Sequence, residues 1–535
     1  MAFFFTSILA DLSLGVAACF ALLYFYMTRK YNCWKERGIH YMKPAPFVGN
    51  MWPVFLQKHS IGSYLRHVYE EAPDEPYVGI FALEKPILVI RDLDLVRCVL
   101  VKDAQVFLDR TFAPQEEQDP LIAKSLFGMK GKKWRHLRVK LSPTFTSGKM
   151  RKMFYLVDEC GCQLLELISQ EISTGRPVSV KETMARYSTD VIASCAFGVD
   201  AQALKDGQCE FRSVMRRVME QTFLQNLALN LAFLAPSVAR ALKMTTMDHS
   251  ILDFVRRTLW DVVDHRRRNG VVHKDFVDLL MQIKDGNEIR AEDSKDVEEI
   301  KEDNDLTNIG YKNKTEEENM KLDGDDFVAQ AFIFLAAGFE TSSTVLNFTL
   351  YELALNPYIQ DRLRQEIVSV LDKYEGKVSY DCFKEMSYLD MVIAESMRKY
   401  PTLPFLERKS STEYKVSGTN FTIPKETTVM IPVWAIHNDP NLYPLPDKFE
   451  PERFTPENKE KIHHFAHLPF GEGPRICIGM RFGQMQVKTA LVHVLSSFQV
   501  RPCSTTPKPP LVMKNFGGTL IPRDDILLTF TRVAN

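Results

Sequence analysis

The chain has 535 residues, 45% of them apolar and 11% aromatic, which is enough to bury a large core and excludes disorder over most of its length. Its 67 lysines and arginines against 68 aspartates and glutamates leave a net charge of -1, so nothing global points to a nucleic-acid partner. Ten cysteines without repeated spacing read as reduced thiols; Cys160 and Cys162, at i and i+2 of a helical run, point to different sides and make no metal site.

The first element in chain order is an apolar run from Phe3 to Met27 whose only charge is Asp11. It is long enough to span a bilayer, and Asp11 restricts the best span to Leu12 through Met27. The basic residues Arg29, Lys30, Lys35 and Arg37 all follow it, which predicts a retained anchor over residues 1–28 and a body on the cytosolic side. Residues 29–50, ending in "MKPAPFVGN", read as a basic, proline-punctuated linker, and 51–535 as one large domain. Tyr77 to Ile90 alternates and predicts a hairpin turning near Glu84 and Lys85.

From Leu93 onward the periodicity is mainly helical, with long amphipathic runs over Met150 to Ser173 and Phe211 to Leu234. Strand signals return only between Tyr414 and Trp434 and in "ILLTFTRV" near the C-terminus, so the fold class is mainly α with a minor β part. Residues 285–323 hold 14 acids and 6 bases, a net of -8 that leaves +7 on the rest of the chain, and read as an acidic, solvated surface loop. Asp325 to Pro357 predicts a central helix, apolar nearly all round from Phe327 to Leu335. "AAGFETSS" interrupts it with a helix-weakening Gly338 and with Glu340 and Thr341, polar groups in a buried setting, and such violations mark a site.

"FGEGPRICIG", residues 470–479, raises the chemical question most sharply. Gly471 and Gly473 permit a tight positive-φ loop, and Gly479 lets a planar ligand approach the backbone. The helical period behind it puts Cys477 near a helix N-terminus, where dipole and free N–H groups favour a thiolate. That thiolate serves as nucleophile, redox thiol or metal ligand; no neighbouring residue supplies the histidine base or resolving cysteine that the first two need.

This decapeptide resembles the cysteine-ligand loop of the cytochrome P450 family, and "WRHLR" (134–138), "AGFET" (337–341), "ESMR" (395–398) and "PERF" (451–454) resemble its other landmarks in order. The resemblance implies the P450 fold, a single large domain enclosing haem b behind an N-terminal membrane anchor. It implies that Cys477 ligates the iron, a thiolate that pushes electron density to favour O–O cleavage. Trp134, Arg138, Arg408 and Arg475 then match the positions that hold the haem propionates, and Phe470, Gly479 and Gly338 those that lie against the ring. Glu395, Arg398 and Arg453 match a buried structural network, and Thr341 with Glu340 the proton-delivering pair. Phe112, Phe127, Phe334, Ala337, Phe405 and Phe516 fall in segments lining the family's substrate pocket.

The implied activity is monooxygenation: dioxygen is the co-substrate and NADPH electrons arrive through NADPH-cytochrome P450 reductase, with cytochrome b5 as an alternative donor. Lys130, Lys132, Lys133, Arg135 and Lys140 around Trp134 and Arg138 form a basic patch suited to an acidic partner. Similarity is greatest to insect microsomal members associated with detoxification, implying an endoplasmic reticulum location and lipophilic substrates such as plant toxins or insecticides. A P450 dedicated to an endogenous lipid or hormone and a haem-binding carrier or sensor are the competing readings.

Overall fold

The computed structural model describes residues 2–287, 289–292, 294–307 and 322–533. The helices that build and surround the site are α1 (Ala2–Thr28), α2 (Gly131–Leu141), α3 (Ser147–Ser173), α4 (Val180–Ile192), α5 (Phe223–Leu234), α6 (Ser294–Thr307), α7 (Gly324–Leu355), α8 (Ser387–Lys399) and α9 (Met480–Ser497). α7 runs about 48 Å at 1.5 Å per residue and is buried along most of its length. It packs chiefly along α4, with α9 and α8 on other sides, and α9 in turn lies on α3. It stops where Asn356 precedes Pro357, which cannot continue the ladder.

The β part is small. β1 (Tyr77–Ala82) and β2 (Lys85–Ile90) form the hairpin, β4 (Leu406–Lys409) and β7 (Thr428–Ile431) complete its sheet in the order β1-β2-β7-β4, and β2 runs parallel to β7. A second sheet joins β3 (Val178–Ser179), β9 (Leu527–Arg532) and β8 (Phe498–Pro502), and β5 (Tyr414–Lys415) pairs with β6 (Thr422–Ile423).

Three segments depart from the sequence reading. The run from Phe211 to Leu234 is broken, because Thr222 and Gln225 exchange side-chain and backbone hydrogen bonds (2.8 and 3.3 Å) and start a new helix. Residues 29–50 are not a free linker. Trp34 is fully buried, donates its indole N–H to Ile80 O (3.2 Å) and fills the space that a Cβ on Gly79 would enter at 2.5 Å, while Asn50 accepts the Phe81 N–H (2.9 Å). The acidic segment contributes the helix α6, with Asp296 and Glu299 buried; residues 288, 293 and 308–321 of it lie outside the described residues.

Near the cysteine loop, α8 carries a closed ionic network. Arg398 Nε and Nη2 donate to the Glu395 carboxylate at 2.7 and 3.0 Å, and its remaining donors reach His437 O (2.8 Å) and Pro446 O (2.7 Å). Arg453 stands 3.4 Å from Glu395, which also accepts the Glu450 N–H at 2.9 Å. Burial raises the Glu395 carboxyl above its ordinary range even though Arg398 pulls it down. The pair therefore positions the chain rather than stabilising it relative to an apolar core.

Replacing Arg398 by Met strands a fully buried carboxylate and is expected to cost about 3–5 kcal/mol, read as a lower midpoint in chemical unfolding. The double variant Glu395→Gln/Arg398→Met should recover part of that loss. Additive single and double losses would show that the two side chains do not act together.

Candidate active site

The cysteine loop is pinned at both ends. Gly471 and Gly473 adopt φ +73°, and a Cβ on Gly473 would lie 1.8 Å from Leu100 O, so only glycine fits that turn. The Cys477 N–H donates to Phe470 O at 3.0 Å, closing the loop, and α9 begins three residues later behind its N-cap Gly479. The thiol is enclosed by protein at longer range and yet is solvent-accessible, which requires that it border an internal hollow. A Cβ added to Gly479 would meet nothing within 4 Å. In the middle of α7, Ala337 is exposed and Ala336, Gly338 and Thr341 are half-exposed, marking the stretch of the central helix that faces open space.

Guanidinium groups gather at this hollow. Arg475 is buried, with Cζ 3.8 Å above the buried Trp134 ring, and donates to Leu108 O (3.1 Å) and Met129 O (3.0 Å); its carboxylate contact is Asp109 at 3.5 Å. Arg408 is buried on β4 and donates to Glu407 O. Arg110, which sequence reasoning did not select, donates to Phe127 O (2.9 Å) with its Cζ 4.1 Å from that ring. Burial lowers Arg110 to about 10; burial and then Arg110 lower Arg408 to about 9; burial and then Arg110 and Arg408 hold Arg475 well below its usual value. Glu407 supplies the main opposing charge, but its oxygens accept the backbone N–H groups of Thr111 and Phe112. The hollow thus holds an excess of positive charge, fully buried at Arg408 and Arg475 and half-buried at Arg110.

That donor set fits the implied haem: a soft sulfur donor facing space, an unobstructed backbone at Gly479, and cations for two propionates. Arg138 is placed differently from the others. Its Nε and Nη2 go to Asp303 (3.4 and 2.6 Å) and its Nη1 to Ile476 O (2.9 Å). The thiol itself does not show the depressed pKa expected near a helix N-terminus. Burial raises it, outweighing the Gly479 N–H and the charges of Arg138 and Arg110, so ionisation of Cys477 falls to a bound cation.

On α7, Thr341 donates to Ala337 O (2.6 Å). Glu340 points away toward α4, where Lys181 Nζ donates to it at 2.9 Å and Thr344 at 3.2 Å. The two successive residues therefore face different sides, and Lys181 was not foreseen. At Gly338 a Cβ would lie 2.4 Å from Ile192 Cδ1, so this glycine also lets α7 approach α4.

Of the pocket candidates, Phe112 and Phe127 meet at 5.4 Å between ring centroids, and Phe233 of α5 links Phe112 (4.5 Å) to Phe405 (5.6 Å). Phe233 was missed because α5 is apolar on most sides, which hides any single lining residue. Phe334 does not join them; its ring packs against Phe276 (4.1 Å) and Phe145 (5.0 Å), filling core. Phe516 also sits apart, in the loop after β8, with the Lys514 ammonium 5.6 Å from its ring.

A family model described as Cytochrome P450 matches residues 39–530. Among curated proteins the chain is similar to cytochrome P450 6j1 of Blattella germanica, at 43% identity over 96% of this chain and 96% of the relative. It is 40% identical to cytochrome P450 6k1 of the same insect (98% and 97% covered), and 37% identical to probable cytochrome P450 6a18 of Drosophila melanogaster (92% and 93%).

The crowding of cations makes a separable prediction. Arg408→Met should weaken haem retention by about tenfold, the loss of one charged hydrogen-bond partner, while the haem-free protein melts at the same temperature or higher. Haem titration and thermal unfolding of both forms check this. A less stable haem-free protein with normal haem retention would make Arg408 a purely structural residue.

Proposed function

The chain belongs to the cytochrome P450 family and is a monooxygenase, and we propose that it oxidises lipophilic foreign compounds at the cytosolic face of the endoplasmic reticulum, with NADPH electrons delivered by a flavoprotein reductase. The observation that carries the reading is the accessible Cys477 thiol beside a cluster of arginines, Arg110, Arg408 and Arg475, that outnumber the carboxylates facing them, Asp109 and Glu407. Bound there through a cysteine thiolate, the haem supplies reductive cleavage of dioxygen, one oxygen atom entering the substrate and the other leaving as water.

Around it the chain's own residues do the rest. Cys477 is the proposed ligand, and Trp134, Arg110, Arg408 and Arg475 hold the propionates, joined by Arg138 when its contact with Asp303 opens. Thr341, on the open face of α7, is the proposed last proton-carrying group. Glu340 stands behind it, joined to Lys181, whose side chain is 23% exposed and so reaches toward solvent. The ring series Phe127, Phe112, Phe233 and Phe405 forms an apolar wall suited to flat or lipophilic substrates. Resemblance to insect detoxification members supports a broad range of such compounds.

The membrane reading rests on two surfaces. α1 is apolar, and its residues from Ala10 to Tyr26 are all exposed. The body adds exposed Trp52, Leu56, Phe223 and Leu224, brought together where Gln57 donates to Phe223 O at 2.9 Å. The electron donor is assigned to the α2 face because Arg138 of α2 contacts Ile476, the neighbour of Cys477, so this surface lies close above the ligand loop.

The function is tested by carbon monoxide difference spectra of the reduced protein and of Cys477→Ser, then by NADPH consumption with reductase across a panel of lipophilic ligands. Many ligands should shift the iron spin state and raise NADPH consumption, whereas a narrow profile would favour a dedicated endogenous substrate, and ligand binding without turnover a carrier. In Thr341→Ala the binding shift should persist while product formed per NADPH falls; unchanged coupling would remove Thr341 from proton delivery.

For the membrane surface, Phe223→Ser/Leu224→Ser in protein lacking residues 2–28 should lower the vesicle partition coefficient, read by co-sedimentation with phospholipid vesicles, by about a hundredfold or more, two buried apolar side chains being worth about 3–6 kcal/mol. Equal sedimentation of both proteins would leave α1 as the sole attachment.

A further inference from the structure

Helix α6 lies where an electron donor would have to dock. It carries six acids and two bases, and packs against the Gly473–Arg475 turn ahead of Cys477, against α2 and against the start of α3. Its inward carboxylates are fitted, not merely near. Asp303 takes Arg138 at 2.6 Å and the Ser142 hydroxyl; Glu299 takes the Ser147 N–H (2.9 Å), the Ser147 hydroxyl (2.7 Å) and Arg481 (3.5 Å); Asp296 takes the Gly148 N–H at 2.9 Å. Just before the helix, Glu292 pairs with Lys149 and Lys152, which hold its carboxyl below the ordinary range. A Cβ on Gly148 would lie 2.5 Å from Asp296 Oδ2, so the first turn of α3 is shaped for this carboxylate. Buried carboxylates with this many specific donors distinguish α6 from a solvated acidic strip.

We propose that α6 is an internal competitor for the docking surface of the electron donor, its carboxylates occupying cationic groups that an acidic redox protein would otherwise engage. The inference rests on the reading of the α2 face as that surface. A segment of the same chain faces its site at an effective concentration in the millimolar range, so even weak self-association competes with a partner present at micromolar levels. The partner's apparent affinity is reduced by the fraction of molecules in which the surface is open. Partner binding displaces α6, and a change that weakens its Glu292 and Glu299 contacts, in which Arg138 takes no part, raises electron delivery.

The test uses the full-length, haem-loaded protein and NADPH-cytochrome P450 reductase. In Glu292→Gln/Glu299→Gln, which leaves the Asp303–Arg138 pair intact, the apparent KM for reductase should fall by about threefold, the range expected for removing a few charge pairs, while oxidation of the same substrate driven by hydrogen peroxide, which needs no donor, keeps its rate. Should the double variant lose haem, Glu292→Gln alone, which frees only Lys149 and Lys152, should lower the KM about twofold by the same argument. In the wild type, amide exchange across residues 294–307 should accelerate when reductase is added. An unchanged or higher KM, or exchange in α6 that slows on reductase binding, overturns the proposal. Lys133→Glu separates the two failures: if it raises the KM while the α6 variants leave it unaltered, the face is right and the competition is wrong. If it too has no effect, the docking reading itself falls and takes the inference with it.

Discussion

The structure depends on an electrostatic imbalance that the polypeptide alone does not resolve. Arg110, Arg408 and Arg475 lie around one enclosed space, each depressing another, and the nearby carboxylates are already committed: Asp109 to the Gly131 N–H and Arg475, Glu407 to two backbone amides. Burying charge without a partner is among the most costly things a fold does. On the proposed reading, a flat dianion with a metal at its centre would answer both sides of the imbalance, its charge facing the guanidinium groups and its metal taking the Cys477 thiol, whose pKa burial raises. The body is arranged to keep that space open and of fixed shape.

Two kinds of device hold the shape. The glycines of the ligand loop act sterically, Gly473 by removing a Cβ that would strike Leu100 O. The ionic network of Glu395, Arg398 and Arg453 acts by direction: its donors run to His437 O, Pro446 O and Leu445 O, tying α8 to the chain that leads into the ligand loop. Burial outweighs pairing at Glu395, so an apolar trio of the same volume would cost the fold less. What apolar side chains do not supply is a set of five or more directional bonds among segments far apart in sequence.

Motifs whose residues act through their own backbone neighbourhood were the most legible. The hairpin at Tyr77–Ile90, the central helix, the turn-forming glycines and the i, i+3 spacing of Glu395 and Arg398 are all local in origin. Residues whose role is set by tertiary contacts were not. Arg110 stands in "FLDRTF", where an arginine flanked by Phe107, Leu108 and Phe112 was the available signal for a charge drawn into the core's edge. Phe334 and Phe112 have the same composition and apolar surroundings in sequence, yet one packs on Phe276 and the other on Phe127 and Phe233. Gly338 illustrates a position with a further cause, since the pattern locates a glycine on α7 but not the Ile192 that it admits.

The acidic segment joins these themes. Composition alone reads 285–323 as solvated, because charge without apolar residues has no core to enter. Its helix α6 becomes ordered against the body by a different route: the rest of the chain carries +7, and cations and free helix N–H groups at α2 and α3 offer what apolar surface would otherwise provide. Such contacts are electrostatic, partly at the surface and sensitive to ionic strength, unlike the fully buried network at α8. The same chain therefore uses buried charge twice with opposite consequences. Around Cys477 the excess suits the proposed prosthetic group, whereas at α6 the chain meets the demand of its cations with carboxylates of its own.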